Sequence, residues 1–402
     1  MVDQELDYTF DDSIHETLRA GRAGGPTALN PPTGAIVALR YDEVERLAHD
    51  PRIAGIGLSL FDLMGIPDGN LRDWYRQLMF TNDGDAHHRL RRLAARAFTP
   101  RSVERHRALA AELVAERLAA LVEAGGGDLV EAFADVPMRV ICRLLGVPDD
   151  EGEHFLAYGD ALSPVFGLMD AEQVERAEGA VVDLMADVER MIAARTKERG
   201  EDLISALLEA EEAGDRLTHD EVVIMVGNLI VGGHDTTAGQ IGCSLLALLR
   251  NPDALDALRA DPASAAAVVD ETIRFEPSIG FVPRTLVEPV EIGGVDRPAG
   301  TLLFLSSAST SRDPDVWDDP DSFLPLRFTE AGAPKLLSFG SGPHYCLGAA
   351  LARMTLQEVV LGAARAGLGR TIVPSADIAD SVEWRQVLGR SPVALPVAVT
   401  PG

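Results

Sequence analysis

Apolar residues along this chain recur mostly at helical spacing and only briefly at strand spacing. Within residues 101–124, Ala110, Val114, Leu118 and Leu121 form one stripe and predict an amphipathic helix. Another helix is expected to end near Leu145, where Gly146-Val147-Pro148 breaks the pattern. Residues 149–200 predict two more helices, flanking the apolar connector Leu162-Ser163-Pro164-Val165-Phe166-Gly167-Leu168-Met169. The longest helical signal opens at Thr218-His219-Asp220-Glu221, a capping box, and continues to about Arg250, roughly 50 Å at 1.5 Å per residue. Its centre, Gly232-Gly233-His234-Asp235-Thr236-Thr237, is a poor helical sequence, because each glycine costs roughly 1 kcal/mol. A midpoint this weak predicts either a distortion at a functional site or a tight helix crossing.

Strand spacing is confined to short runs. Ala35-Ile36-Val37-Ala38-Leu39-Arg40 predicts a strand leading into a helix over 41–49, within a first 40 residues rich in Gly and Pro. Residues 281–306, punctuated by Gly293-Gly294 and Pro298-Ala299-Gly300, predict a small sheet with tight turns. Residues 51–80 are expected to be a long loop, unusual in carrying Phe61, Leu63, Met64, Trp74 and Phe80. Short helices after Asn251-Pro252, a loop over 311–334, a helix to about Ala366 and a strand-rich tail complete the layout. With no internal repeat and no dividing linker, the expected fold is mainly α with minor β, in a single domain over 1–402.

Composition narrows the function. A 46% hydrophobic content supports a sizeable core in 402 residues, and a net charge of −27 argues against nucleic acid or an anionic membrane as partner. The acidic N-terminus and the lack of any run of about 20 apolar residues predict neither signal peptide nor membrane anchor. Three widely spaced cysteines, Cys142, Cys243 and Cys346, disfavour a disulfide framework or a four-thiolate zinc site and fit a reducing cytoplasm. One stretch runs against the acidic background. Residues 87–107 hold seven arginines (89, 91, 92, 96, 101, 105, 107) and one acid, Glu104. That concentration suits either a solvated helix face or a docking patch for an acidic partner or an anionic cofactor group.

The chemistry concentrates in Phe339-Gly340-Ser341-Gly342-Pro343-His344-Tyr345-Cys346-Leu347-Gly348, a glycine-rich loop before the helical run from Ala349. A cysteine just before a helix is biased toward thiolate by the unsatisfied N–H groups of the first turn. Cys346 is therefore a candidate nucleophile or metal ligand. Upstream, Glu271 and Arg274 share a helix face and can pair.

Taken in order, these motifs resemble a soluble bacterial cytochrome P450 over nearly the full length. Phe339, Gly340, Gly342, His344, Cys346 and Gly348 match the family's haem-binding loop, and Glu271-Arg274 matches its E-x-x-R helix. Arg327, in Phe323-Leu324-Pro325-Leu326-Arg327-Phe328, resembles the arginine that completes the Glu-Arg-Arg triad. Gly232 to Thr236 match the oxygen-activation motif, and His87 with Arg91 the H-x-x-x-R pair.

The resemblance implies haem b between the long central helix and the cysteine-loop helix, with Cys346 as the iron's axial ligand. It also implies that His87, Arg91, Arg284 and His344 hold the propionates, although Thr285-Leu286 departs from the usual R-x-A after Arg284. Asp235 and Thr236 would serve proton delivery to dioxygen, and Gly232 and Gly233 would open space for it. Phe61, Leu63, Met64, Val165, Phe166, Ile230, Gly233, Thr237, Ile279, Phe281, Val387 and Leu388 would line a hydrophobic substrate. Because the chain shows no fused reductase or ferredoxin segment, electrons from NAD(P)H are expected through a separate ferredoxin and ferredoxin reductase. The implied activity is insertion of one oxygen atom into a hydrophobic small molecule, by hydroxylation or epoxidation. Alternatives are oxidative coupling or desaturation at the same haem, and a non-catalytic haem-binding or sensor protein.

Overall fold

A computed structural model describes residues 4–8, 11–95, 98–148, 152–212, 218–329, 332–376, 378, 382–386 and 389–400. By contact density the chain divides into two compact units. Unit 1 holds residues 1–53, 107–134 and 236–402, and unit 2 holds residues 54–106 and 135–235. No linker marks the division, which falls inside a single long α-helix, His219–Arg250, between Asp235 and Thr236.

In unit 1 five neighbouring strands of one sheet run in the order Gln4–Glu5, Thr27–Asn30, Ala35–Ala38, Leu302–Leu305, Val282–Leu286, and Gly126–Asp128, Ile372–Pro374 and Pro396–Val399 form another sheet. The pairs among the five are in turn parallel, antiparallel, parallel and antiparallel. All four residues of Ala35–Ala38 are buried because both faces of that strand are covered. Alternation at period two sends Ile36 into a cluster with Val44, Leu47 and Leu303, and Val37 into a second cluster with Ile14 and Leu18. The second cluster rests on a helix, Ile14–Gly24, in a stretch the sequence presented only as rich in Gly and Pro. Helices Arg107–Glu123 and Ala349–Ala366 pack together in this unit, tied by Arg107 to Glu358 at 2.5 Å, and Ala265–Phe275 packs on the latter helix.

Unit 2 is helical: Gly84–Ala94, Val136–Leu145, Gly152–Leu162, Ala171–Lys197 and Leu203–Glu212 pack with the first half of the long helix. The expected loop over 51–80 is corrected here. It folds into helices Ser59–Met64 and Asn70–Gln77 and a 3₁₀ turn at Met79–Thr81. Leu71, Trp74 and Tyr75 stand at i, i+3 and i+4 and are all buried, so the apolar residues that made the loop look odd are a helical stripe. Gly65, at φ 67°, ends the first helix in the left-handed conformation. Among the described residues, no helix is long and apolar enough to cross a membrane.

Candidate functional site

Cys346 is exposed and lies two residues before the N-cap, Gly348, of Ala349–Ala366. Its N–H donates to the Phe339 carbonyl at 2.8 Å, so the residues that bracket the loop close it. Gly340 and Gly342 adopt φ of 74° and 68°, which L side chains rarely do. At Gly342 the constraint is also steric, since a Cβ would lie 2.3 Å from the Ala48 carbonyl oxygen. The Arg353 guanidinium lies 4.4 Å from the centre of the Phe339 ring and donates to Asp270 at 2.6 Å and to the Tyr345 hydroxyl at 3.2 Å. These contacts fix the loop from its helix side. The other two cysteines are buried, and burial pushes the Cys243 thiol up to about 12, which leaves it neutral and inert.

Glu271, Arg274 and Arg327 come together as expected in unit 1. Arg274 grips Glu271 through two nitrogens, at 2.7 and 2.8 Å, and both side chains are fully buried. Arg327 approaches the same carboxylate at 3.2 Å, and the Leu324 N–H donates to it at 2.7 Å. Arg274 spends its remaining donors on the carbonyls of Ser311, Pro320 and Ser322. Ser311 in turn meets Ser338, the neighbour of Phe339, hydroxyl to hydroxyl at 3.4 Å. A continuous polar path thus runs from the buried pair to the cysteine loop. Arg284 is buried in strand Val282–Leu286, and His344 is half-buried in the turn Gly342–His344.

The long helix is α-helical throughout His219–Arg250, without a break at its glycines. Its start is the expected capping box: the Glu221 N–H donates to Thr218 Oγ1 at 3.2 Å, and the Thr218 N–H to the Glu221 carboxylate at 2.9 Å. The two glycines differ. A Cβ on Gly233 would fall 2.1 Å from Ile141 Cδ1, so this glycine permits a tight helix crossing, whereas nothing lies within 4 Å of a Cβ on Gly232. Asp235 is buried and Thr236 half-buried.

In unit 2, His87 is buried and Arg91 half-buried, one turn apart on Gly84–Ala94. Phe61 stacks on Tyr75 at 4.3 Å, Tyr75 meets Phe80 edge-on at 5.6 Å, and Phe80 packs on Phe166 at 5.2 Å. Tyr75 was missed from the sequence; its place one residue after Trp74 on a helical stripe is the signal that finds it. Burial pushes its hydroxyl well above the usual tyrosine range. Val165 and Ile230 are buried, as is Thr237 of unit 1, and the Met64 sulfur accepts from the Met169 N–H at 3.0 Å, while Leu63 is 50% exposed. In unit 1, Ile279 is half-buried and Phe281 stacks on Tyr8 at 4.6 Å, spending part of its surface on the core. Val387 and Leu388 lie outside the described residues, as does Arg96.

The basic stretch is partly consumed by internal pairs. Arg89 binds Glu221 through two nitrogens and holds that carboxyl below its ordinary range. Arg107 pairs with Glu358 in unit 1, and Arg105 lies 3.7 Å from Glu201 in unit 2. Arg92 and Arg101 are exposed.

A family model described as cytochrome P450 matches residues 67–266 and 265–362. The chain is similar to cytochrome P450 107B1 of Saccharopolyspora erythraea, 35% identical over 89% of this chain and 87% of that protein. It is also similar to 6-deoxyerythronolide B hydroxylase of the same organism, 33% identical over 87% of this chain and 86% of that protein. Among solved structures it resembles CxnD, a P450 enzyme for C–S bond formation in chuangxinmycin biosynthesis. That match has a TM-score of 0.84 and 29% identity, and covers 100% of this chain and 99% of the other.

Proposed function

The chain belongs to the cytochrome P450 family of haem-iron oxidoreductases, and on that premise we propose that it is a haem-thiolate monooxygenase acting on a hydrophobic small molecule, by hydroxylation or epoxidation. The observation that carries the reading is the donor set. Cys346 offers one exposed thiol, and among the described residues no cluster of three or more His, Cys, Asp or Glu could hold a bare metal ion. A single sulfur donor fits a haem iron, for which Cys346 would be the residue of this chain that holds the metal. When bound, haem b supplies the redox chemistry that activates dioxygen.

The chain's own residues do the rest. Cys346 would hold the haem iron through its thiolate. Phe339 and the N–H groups of its loop shelter the sulfur, and Gly340 and Gly348 bring backbone close to a flat ligand. By the family resemblance, His87, Arg91, Arg284 and His344 would be the residues that hold the propionates through charge-assisted hydrogen bonds. Thr236 holds a proton where dioxygen is activated, Asp235 passes protons in from solvent, and Gly232 leaves space. One oxygen atom enters the substrate's C–H or C=C bond. The other leaves as water, consuming two protons and two electrons. Those electrons come from NAD(P)H through a ferredoxin and its reductase, with Arg92 and Arg101 available to an acidic partner. Phe61, Val165, Phe166, Ile230 and Ile279 are apolar, which favours a hydrophobic substrate.

A second reading, oxidative bond formation without oxygen insertion, draws on the likeness to the C–S-bond-forming enzyme. Isotopic dioxygen separates the two. A hydrophobic compound is first chosen by its shift of the haem absorbance, then turned over under labelled dioxygen with ferredoxin, reductase and NAD(P)H. Monooxygenation places one labelled atom in the product and one in water. A product free of label assigns coupling or desaturation instead.

A further inference from the structure

We infer that Ser278 is a positioning residue that sets the backbone of Thr236, and through it the proton-delivering hydroxyl. The inference rests on the reading of Thr236 given above. Ser278 lies between helix Ala265–Phe275 and strand Val282–Leu286, is 5% exposed, and joins three segments of unit 1. Its N–H donates to Gln240 Oε1 at 2.9 Å, and its carbonyl accepts the Arg390 N–H at 2.7 Å. Its hydroxyl donates to the Thr236 carbonyl at 3.3 Å. Thr236 and Gln240 stand at i and i+4, so Ser278 grips one face of the long helix twice.

The grip is stiff at both ends. Gln240 is itself buried and also donates from Nε2 to the Glu276 carbonyl at 3.1 Å and to Ser244 at 3.3 Å. Its amide therefore spans residues 276 and 278 at once. Behind Ser278, a Cβ on Gly389 would lie 1.9 Å from the Ser278 carbonyl oxygen, which leaves this backbone no room to retreat. Arg390 is anchored in turn by the Glu276 carboxylate, by His15 at 3.0 Å and by the Asp11 carbonyl at 2.7 Å. Ile279 and Gly280 are held from the other side, by Ser307 Oγ at 2.5 Å and the Ala308 N–H at 3.0 Å.

The consequence is mechanical. A carbonyl inside a helix already accepts from the residue four positions on, and a second donor from outside tilts it and bends the helix locally. Here the second donor lands on the residue whose hydroxyl the reaction depends on. The same segment carries Ile279, so pressure from a bound substrate on that side chain reaches Thr236 across one residue.

The test compares Ser278→Ala and Thr236→Ala, with the substrate of the isotope experiment, for the fraction of NAD(P)H electrons released as peroxide. We expect Ser278→Ala to raise peroxide about threefold, the scale of one ordinary buried hydrogen bond, with KM little changed. In protein prepared without haem, amide exchange over residues 236–240 should quicken in the same variant. Unchanged peroxide in Ser278→Ala, where Thr236→Ala releases it, overturns the inference while leaving the reading of Thr236 intact. Unchanged peroxide in both variants overturns that reading. Should Ser278→Ala lose its haem, Ser278→Cys keeps the size and weakens only the donor, and parental coupling in it overturns the inference equally.

Discussion

Glu271 has no contact with water and faces two guanidiniums, one of them gripping it through paired hydrogen bonds. Removing one charge from such a group strands the others, and the penalty for an uncompensated buried charge is about 3–5 kcal/mol. Glu271→Gln is expected to lower the denaturation free energy by that amount and to release haem more readily, measured by urea unfolding and by haem transfer to an acceptor protein. The spacing of Glu271 and Arg274 was legible in the sequence, and Arg327 was legible through its resemblance to a family segment. The rest of the clamp was not. Arg274 bonds the carbonyls of Ser311, Pro320 and Ser322, and a carbonyl is present whatever side chain the residue carries. Ser278 escaped notice for the same reason: its partners at Thr236 and Arg390 are backbone groups.

The long helix shows what pattern can and cannot tell at the level of an element. Its start was marked by Thr218 and Glu221, whose reciprocal bonds are local, and its end by Asn251-Pro252, so both lay within reach of sequence. Its two central glycines looked alike, because a glycine does not say what lies beside it. They are predicted to respond oppositely to alanine. Gly232→Ala meets nothing within 4 Å and gains helix propensity, so it should stabilise the fold by about 0.5–1 kcal/mol. Gly233→Ala places a methyl 2.1 Å from Ile141 Cδ1 and should lower the melting temperature, with recovery when Ile141 is shortened to Val. If Gly232 is kept bare for dioxygen, Gly232→Ala gains stability and loses turnover together, which thermal scans and oxygen-consumption rates will show. The helices at Ser59–Met64 and Asn70–Gln77 stayed hidden because each is short and embedded among glycines, which mask a stripe of only three apolar positions.

Over the whole molecule, the order of motifs identified the family although each motif alone was ambiguous. Cys346 could have been a nucleophile, and the helical spacing of Glu271 and Arg274 alone says only that they can pair. Net charge did less, since −27 sums over a surface on which Arg89 and Arg107 are already committed to internal carboxylates. The central claim is that this chain binds haem through a cysteine thiolate, with every other proposed role arranged around that ligand. It is tested most directly by reducing the haem-loaded protein under carbon monoxide and recording the absorbance band of the parent beside Cys346→Ser. The parent should show the strongly red-shifted band of a thiolate-ligated ferrous carbonyl, and the variant should lose it. A variant that keeps this band would contradict the assignment of Cys346.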